Sequence, residues 1–476
     1  MRRRDLLLAG GAAPFHILKA QRTARPNVLF LISDDQSWLH TSAAGDPVVR
    51  TPNFDRIAAQ GVRFTHAFCA SPSCTPSRAG ILTGQHIWRL KESGNLWSTL
   101  RREEYPAYPE LLKSAGYHIG SMGKGWGPGD FRAGGWDHNP AGPPFKSFTE
   151  FLDQTPAGAP FCFWFGSQDP HRPYEPGTGE RSGMNPEHVR VPAWLPDSPE
   201  VRRDILDYYF EIQRFDRAVG DMVAALDKSG RLQNTIVVVT SDNGMPFPRA
   251  KTNLYDSGTR MPLAVMWPER IPPGRVVDDM VSHTDLAPTF LEAAGIERPR
   301  AITGRSQLSI LTSRRDGRVE NGRNHAVTGR ERHTRRRAGG AGYPMRAIRT
   351  YDHLYIRNFA PERWPAGDPP DYGDIDTSPS MDFVIANRSS TRFQRYYEMA
   401  CAKRPAEELY DLKQDPHQLT NLAASAGQEK IGNHLRSQLD RILKDTGDPR
   451  LTGSEVLWDS TPYYGGGVLS RPTDER

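Results

Sequence analysis

Cysteine is scarce in this chain, with four residues among 476, namely Cys69, Cys74, Cys162 and Cys401. Their spacing is irregular, so neither a disulfide framework nor a zinc site is indicated. Beyond the first 20 residues, no stretch offers about 18 uninterrupted apolar residues, so we expect no membrane-spanning helix. Positive charge is in slight excess, and a formal net charge of +5 does not indicate nucleic-acid binding. What remains is a globular protein.

The amino terminus has the features of an export signal. Residues 1–20 read MRRRDLLLAGGAAPFHILKA, with a basic start and a short apolar stretch at 6–13. That stretch is too short to span a bilayer, and the arginine pair before Asp5 is typical of a twin-arginine signal. We therefore expect an exported protein, periplasmic or extracellular.

Three uninterrupted apolar runs predict buried strands. They are NVLFLIS at 27–33, PFCFWFG at 160–166 and TIVVVTS at 235–241, each typical of a strand covered on both faces of a parallel sheet. Helical patterns lie between them, including a long one that begins at Ser198-Pro199. This alternation predicts an α/β fold with a large, mostly parallel sheet sandwiched between helices.

The pattern changes after about residue 340. Residues 345–350 and 353–358 predict a hairpin, 408–412 a further strand, and a last helix carries apolar residues at 431, 435, 439 and 442. The expected organisation is an export signal at 1–20, a larger α/β domain at 26–340, and a smaller C-terminal domain with an antiparallel sheet and a helix at 341–476.

Acidic and amide side chains follow two of the buried strands. Asp34 and Asp35 come directly after the first, and Asp242 and Asn243 directly after the last. Ligand sites in open α/β sheets lie at the carboxyl ends of the strands. Hard oxygen ligands favour Ca²⁺ or Mg²⁺, and a flexible site with few waters favours Ca²⁺. Either pair alone is equally consistent with turn and helix-cap residues, whereas both pairs at matching strand ends favour a metal site.

Cys74 stands in an unusual frame, SPSCTPSRAGILTG at 71–84. Pro76 suits the first turn of a helix, so the Cys74 side chain is expected at a helix N-terminus, where the peptide dipoles attract an anion. Arg78 follows one turn later. A thiolate of lowered pKa is one use of such a position. No Cys–His–Asn arrangement accompanies it, which argues against a cysteine protease.

The run from Cys74 to Gly84, CTPSRAGILTG, resembles the signature of the type I sulfatases. In that family the cysteine of Cys-x-Pro-x-Arg is oxidised to formylglycine, whose hydrated aldehyde is the nucleophile. The resemblance extends from about residue 26 to beyond 422. It implies an alkaline-phosphatase-like fold with a catalytic domain at 26–340, a sulfated saccharide as substrate, and a formylglycine-generating enzyme as partner in maturation.

The family's metal site can be transferred position by position. Asp34, Asp35, Asp242 and Asn243 match the calcium ligands, joined by the modified Cys74.

The resemblance also implies roles for four cationic or titratable residues. Arg78 matches the arginine that holds the formylglycine, and Lys124, in SMGKGW, and Lys251 match the lysines that bind sulfate. His171, in DPHRP, matches the histidine that protonates the leaving group. One departure is plain, because Trp126 stands where the family usually has a second histidine. His40 and His86 are candidates to replace it.

Within the family, residues 241–263, 169–172 and 404–412 are most similar to the heparan N-sulfatase (sulfamidase) branch. Residues 330–333 are expected to line the sugar pocket. Two alternatives stay open at this point, a phosphate or phosphonate ester hydrolase of the same superfamily and a non-catalytic glycan-binding relative.

Overall fold

The structure is a computed structural model that describes residues 25–454 and 456–465. The export signal expected at residues 1–20 lies outside the described residues. The strands are β1 Asn27–Ser33, β2 Val62–Phe68, β3 His118–Gly123, β4 Phe161–Gly166, β5 Thr235–Ser241, β6 Arg260–Met266, β7 Arg275–Val277, β8 Val281–Ser282, β9 His325–Arg330, β10 Met345–Thr350, β11 His353–Asn358 and β12 Glu407–Asp411.

The helices alternate with the strands over the first two thirds of the chain. They are α1 Pro52–Ala59, α2 Cys74–Thr83, α3 Tyr108–Ser114, α4 Phe148–Gln154, α5 Thr178–Arg181, α6 Pro199–Lys228, α7 Asp256–Thr259, α8 Leu286–Ala293, α9 Leu308–Thr312, α10 Pro379–Ala386, α11 Gln394–Cys401, α12 Glu429–Asp445 and α13 Pro449–Thr452. In the part of the chain that the structure describes, no helix is long and apolar enough to cross a membrane.

The larger sheet has eight strands in the order β3-β4-β1-β5-β6-β2-β7, with β8 also paired to β2. Strands β3, β4, β1 and β5 are parallel to one another, and β6 runs antiparallel to both of its neighbours. Helices cover both faces of this sheet. The predicted α/β class with a large, mostly parallel sheet is therefore confirmed.

The packing of the central strand β1 explains the uninterrupted apolar run at residues 28–32. Val28, Phe30 and Ile32 enter one core, with side chains from α3 and α8, while Leu29 and Leu31 enter the other, with side chains from α1, α4 and α6. Both faces are closed to water, and full burial of such a side chain contributes about 1.5–3 kcal/mol.

The smaller sheet is antiparallel, in the order β12-β11-β10-β9, and α12 packs against it through Leu435, Leu439 and Leu443. Its edge strand β9, His325–Arg330, lies on the N-terminal side of the boundary expected at residue 340. The chain therefore enters this sheet about 15 residues earlier than the sequence pattern indicates.

Candidate active site

Two neighbouring strands deliver four polar side chains to one edge of the large sheet. Strands β1 and β5 are parallel and in register, with Ser33 opposite Ser241, so the residues that follow them emerge side by side. The Asp35 backbone N–H donates to Asp242 Oδ1 at 3.0 Å, and Asn243 Nδ2 donates to Asp35 Oδ1 at 2.7 Å. Asp34 and the other three are fully buried. The structure thus brings both predicted pairs together.

Helix α2 places Cys74 and Arg78 against this cluster. Cys74 is the first residue of the helix, and its Sγ lies 3.6 Å from Asp34 Oδ1 and 4.0 Å from Asp35 Oδ1. Arg78, one turn later, donates from Nε to Asp242 Oδ2 at 2.8 Å and from Nη1 to the Lys124 carbonyl at 2.6 Å. The arginine therefore ties the helix to both strand ends.

Three further side chains close the cluster with positive or titratable nitrogen atoms. Lys124 Nζ lies 2.5 Å from Asp34 Oδ2, and Lys251 Nζ lies 2.7 Å from Asp35 Oδ2. His171 Nε2 lies 3.8 Å from the same Asp35 oxygen. The residues predicted as metal ligands, Arg78, and the predicted sulfate-binding and proton-donating residues therefore all lie within this one cluster.

Electrostatic interactions in the cluster shift the pKa values of Asp34 and Asp242, the two carboxylates that face Arg78, in opposite directions. Burial raises the pKa of Asp34, but the charges of Lys124, His171 and Arg78 outweigh it, so this pKa lies well below its usual range. Burial and the charge of Asp34 raise the pKa of Asp242 to about 6, although Arg78 acts in the opposite direction.

The thiol of Cys74 does not have the lowered pKa that a helix N-terminus favours. Burial raises the pKa of Cys74 well above its ordinary value, and the charges of Lys124 and Lys251 do not compensate for it. A thiolate nucleophile is therefore not what this position provides.

The residues present fit a divalent cation. Ligand atoms of Asp34, Asp35 and Cys74 lie within 4.8 Å of one another. Asn243 Oδ1 is buried and makes no hydrogen bond to any described residue, which is costly for an amide oxygen unless a ligand faces it. Carboxylate and amide oxygens are the donors that Ca²⁺ takes in proteins.

Position 126 provides no titratable group to the cluster. The Trp126 side chain is buried in the hydrophobic core, and its backbone N–H donates to Asn139 Oδ1. His40 lies between Asp46 and Tyr209, with its Nδ1 3.3 Å and 3.1 Å from their oxygens. Within the described residues, no contact of His40 reaches the cluster.

His86 is likewise not directed at the cluster, because it stacks on Trp88, and burial lowers its pKa to about 3. The imidazole that does lie close is His333, whose Nδ1 is 2.8 Å from the hydroxyl of Ser73, the residue before Cys74. Burial lowers the pKa of His333 to about 3 as well.

The other residues of the 330–333 stretch are structural rather than pocket-lining. Arg330 is paired with Asp374, Glu331 with Arg346 and Arg450, and the Arg332 guanidinium donates to backbone carbonyls near residue 461, all in the interior. Arg330 and Glu331 are held by oppositely charged partners and Arg332 by carbonyl oxygens, so the structure does not support the expectation that these three residues line a sugar pocket.

One acidic residue near the cluster was not found from the sequence. Asp376, in the segment before α10, places Oδ2 3.2 Å from Lys251 Nζ, which also pairs with Asp35. Nothing in its local sequence, DYGDIDTSPS at 371–380, distinguishes it from other loop aspartates.

This chain shares its large, mostly parallel sheet with helices on both faces with several solved structures. The solved structures with this fold include a phosphonate monoester hydrolase of Agrobacterium radiobacter, with a TM-score of 0.68, 18% identity, and 90% of this chain and 97% of that one covered. Another was solved with its substrate D-glucosamine-2-N,6-O-disulfate. Its TM-score is 0.67 at 21% identity, and 90% of this chain and all of that chain are covered.

The sequence comparisons define the family more narrowly. The sulfatase family model matches residues 26–135 and 144–296. Human N-sulphoglucosamine sulphohydrolase is 30% identical over 481 residues, covering 90% of this chain and 91% of the relative. This chain belongs to the sulfatase family, and it is a hydrolase.

Proposed function

We propose that this protein removes sulfate groups from saccharides of the glycosaminoglycan type, either as sulfate esters or as N-sulfates. The observation that carries the proposal is the buried cluster in which carboxylates, lysines and a histidine surround the first residue of α2. The names of the relatives support the substrate class, since one acts on N-sulphoglucosamine and another was solved with a disulfated glucosamine. Residues 1–20 favour export to the periplasm or beyond.

We propose two non-protein components for this site. Ca²⁺, in preference to Mg²⁺, would be held by oxygen atoms of Asp34, Asp35, Asp242 and Asn243, and would supply positive charge against the sulfate oxygens. A formylglycine, made from Cys74 by a formylglycine-generating enzyme, would supply the nucleophilic hydroxyl group. Arg78 is in place to orient residue 74, because its guanidinium is fixed by a carboxylate and two carbonyls.

Lys124 and Lys251 are suited to bind the sulfate itself. In the protein alone, each ammonium group pairs with a carboxylate, Asp34 or Asp35, that a cation would also attract. A divalent ion would weaken both pairs and leave the ammonium groups to interact with an anion. Positive groups held in a site with little water are usually the largest contribution to catalysis when negative charge develops on the substrate.

His171 is suited to act as general acid. Its Nδ1 lies 2.6 Å from the carbonyl oxygen of Arg172, which can only accept, so Nδ1 carries a proton. Nε2 is then the nitrogen that delivers a second proton on the cluster side. Protonation of the departing oxygen or nitrogen contributes about 10²–10⁴-fold.

A panel of substrates tests the proposed reaction. Protein produced together with a formylglycine-generating enzyme, and checked by mass spectrometry of the Cys74 peptide, should hydrolyse N-sulfoglucosamine or glucosamine 6-sulfate and 4-nitrophenyl sulfate. Cys74→Ala should be inactive, whereas Cys162→Ala, which removes a core thiol on β4, should stay active.

The competing hypothesis is that the protein is a phosphonate or phosphate ester hydrolase, because its fold is similar to that of a phosphonate monoester hydrolase. Turnover of phenyl phosphonate esters well above that of every sulfate tested would replace our proposal with this one.

A further inference from the structure

Asp376 differs from the other carboxylates near the cluster. Asp34 and Asp35 are fully buried, whereas the Asp376 side chain keeps 27% of its surface exposed. Lys251 Nζ lies between Asp35 Oδ2, at 2.7 Å, and Asp376 Oδ2, at 3.2 Å. Asp376 is therefore a carboxylate beside the cluster that solvent, and hence a substrate, can reach.

The segment that carries Asp376 is fixed before and after it. Two residues earlier, Asp374 is fully buried, pairs with the guanidinium groups of Arg330 and Arg337, and accepts the Thr334 backbone N–H at 2.9 Å. Four residues later, the Ser380 hydroxyl group donates to a second buried carboxylate, that of Asp204. A carboxylate held this way is pre-organised rather than free to move with solvent.

Asp204, on α6, also fixes the loop that carries His171, the proposed general acid. Asp204 accepts the Ser380 hydroxyl at 2.6 Å, and both of its oxygens accept from Arg172, at 2.7 Å and 2.8 Å. Arg172 directly follows His171. One buried carboxylate thus fixes Asp376 and His171 relative to each other.

Positive groups of the cluster act on Asp376. Burial raises the pKa of Asp376, but the charges of Lys251 and His171 outweigh it and hold the pKa well below its usual range. The group is therefore an anion at neutral pH, available as a hydrogen-bond acceptor and nothing else.

We propose that Asp376 is a specificity-determining residue, whose carboxylate accepts a hydrogen bond from an N–H or ammonium group of the sugar next to the departing atom. This inference rests on the proposed function. A carboxylate beside the leaving group stabilises an amine that becomes an ammonium ion as it departs. The same carboxylate interacts more weakly with an acetylated nitrogen, whose single N–H is uncharged and cannot become an ammonium group. The site would therefore favour an N-sulfated or free-amine glucosamine over an N-acetylated one.

The first test uses the matured enzyme and two substrates. Asp376→Asn should lower kcat/KM for N-sulfoglucosamine by about 10–100-fold, the range for a hydrogen bond to a charged group, and change that for 4-nitrophenyl sulfate less than about threefold. Asp371→Asn is the matched control, because that carboxylate lies on the same segment, is 32% exposed, and pairs with Arg336 away from the cluster. Melting temperatures establish that both variants fold.

An equal loss on both substrates would overturn the inference, since Asp376 would then only position Lys251. An unchanged kcat/KM on the sugar would overturn it as well.

The second test needs no matured residue 74. Unmodified protein with Ca²⁺ and sulfate present should bind glucosamine more tightly than N-acetylglucosamine in saturation-transfer NMR titrations. Asp376→Asn should weaken glucosamine binding at least about tenfold and remove the preference, while Asp371→Asn should not. Equal binding of both sugars by the wild type would refute the role of Asp376. Activity on aryl sulfate without any on sugar sulfates would instead contradict the proposed function, and the titrations would still decide the role of Asp376.

Discussion

His171→Ala should affect different substrates to very different extents. A sugar amine or alcohol departs poorly without a proton, whereas 4-nitrophenolate carries its own charge. We therefore expect about a 10²–10⁴-fold loss on a sulfated sugar and less than about a tenfold loss on 4-nitrophenyl sulfate. The larger loss corresponds to about 2.7–5.5 kcal/mol of transition-state stabilisation, at about 1.36 kcal/mol per tenfold change in rate.

The structure leaves one atom of His171, Nε2, free to donate a proton to the leaving group. Because Nδ1 is occupied by the Arg172 carbonyl, only Nε2, 3.8 Å from Asp35, can deliver a proton to a group bound in the cluster. No other ring nitrogen among the described residues is positioned to substitute for it, since His333 is held against Ser73 and its pKa of about 3 leaves it unprotonated.

The assay compares kcat and kcat/KM on both substrates for matured wild type, His171→Ala and the control His188→Ala. His188 is exposed on the surface and belongs to no part of the cluster, so its removal should leave both rates unchanged. Equal slowing of the two substrates by His171→Ala would refute the reasoning, because the histidine would then bind sulfate and the acid would lie elsewhere.

Three further perturbations follow from the same geometry. Chelation with EGTA should lower both the melting temperature and the activity, and added Ca²⁺ should restore them. A melting temperature that changes with neither EGTA nor Ca²⁺ would contradict the proposed metal site. Lys124→Ala and Lys251→Ala should slow sugar and aryl sulfates alike in steady-state assays, because they act on the sulfate, and selective loss on one substrate would argue against that role. Asp374→Asn should reduce the free energy of unfolding in urea by about 3–5 kcal/mol, since Arg330 and Arg337 lose their buried partner. Burial raises the pKa of Asp374, but these guanidinium groups outweigh burial and lower it. The stabilisation by Asp374 should therefore be complete above about pH 4 and be lost as the pH falls further. An acid unfolding profile that is the same in wild type and Asp374→Asn would contradict this prediction.

The large sheet could be predicted because its central strands carry a strong signal. Residues 28–32 and 236–239 are all apolar, and the structure buries every residue of the two strands that contain them. Strand β9 escaped prediction because HAVTGR has polar residues at both ends and no apolar run, and its pairing with β10 is what makes it a strand.

The polar cluster at the edge of the sheet could be predicted for a topological reason. Parallel neighbouring strands end at one edge, so Asp34 and Asp242 had to meet if β1 and β5 were adjacent. The pKa of Cys74 could not be predicted from its helix position, because burial outweighs the helix dipole and both lysines. Asp376 is 125 residues from Lys251 in the chain, and only tertiary packing places the two together.

The depth of α2 has a consequence for the order of events during biosynthesis. Every residue of this helix is buried, and Cys74 keeps 2% of its surface exposed. The oxidation of Cys74 that we propose requires an enzyme to reach the thiol, and the packed helix does not expose it. The proposed modification would therefore precede the packing of α2. The active fraction of a preparation would then depend on the relative rates of oxidation and of the packing of α2.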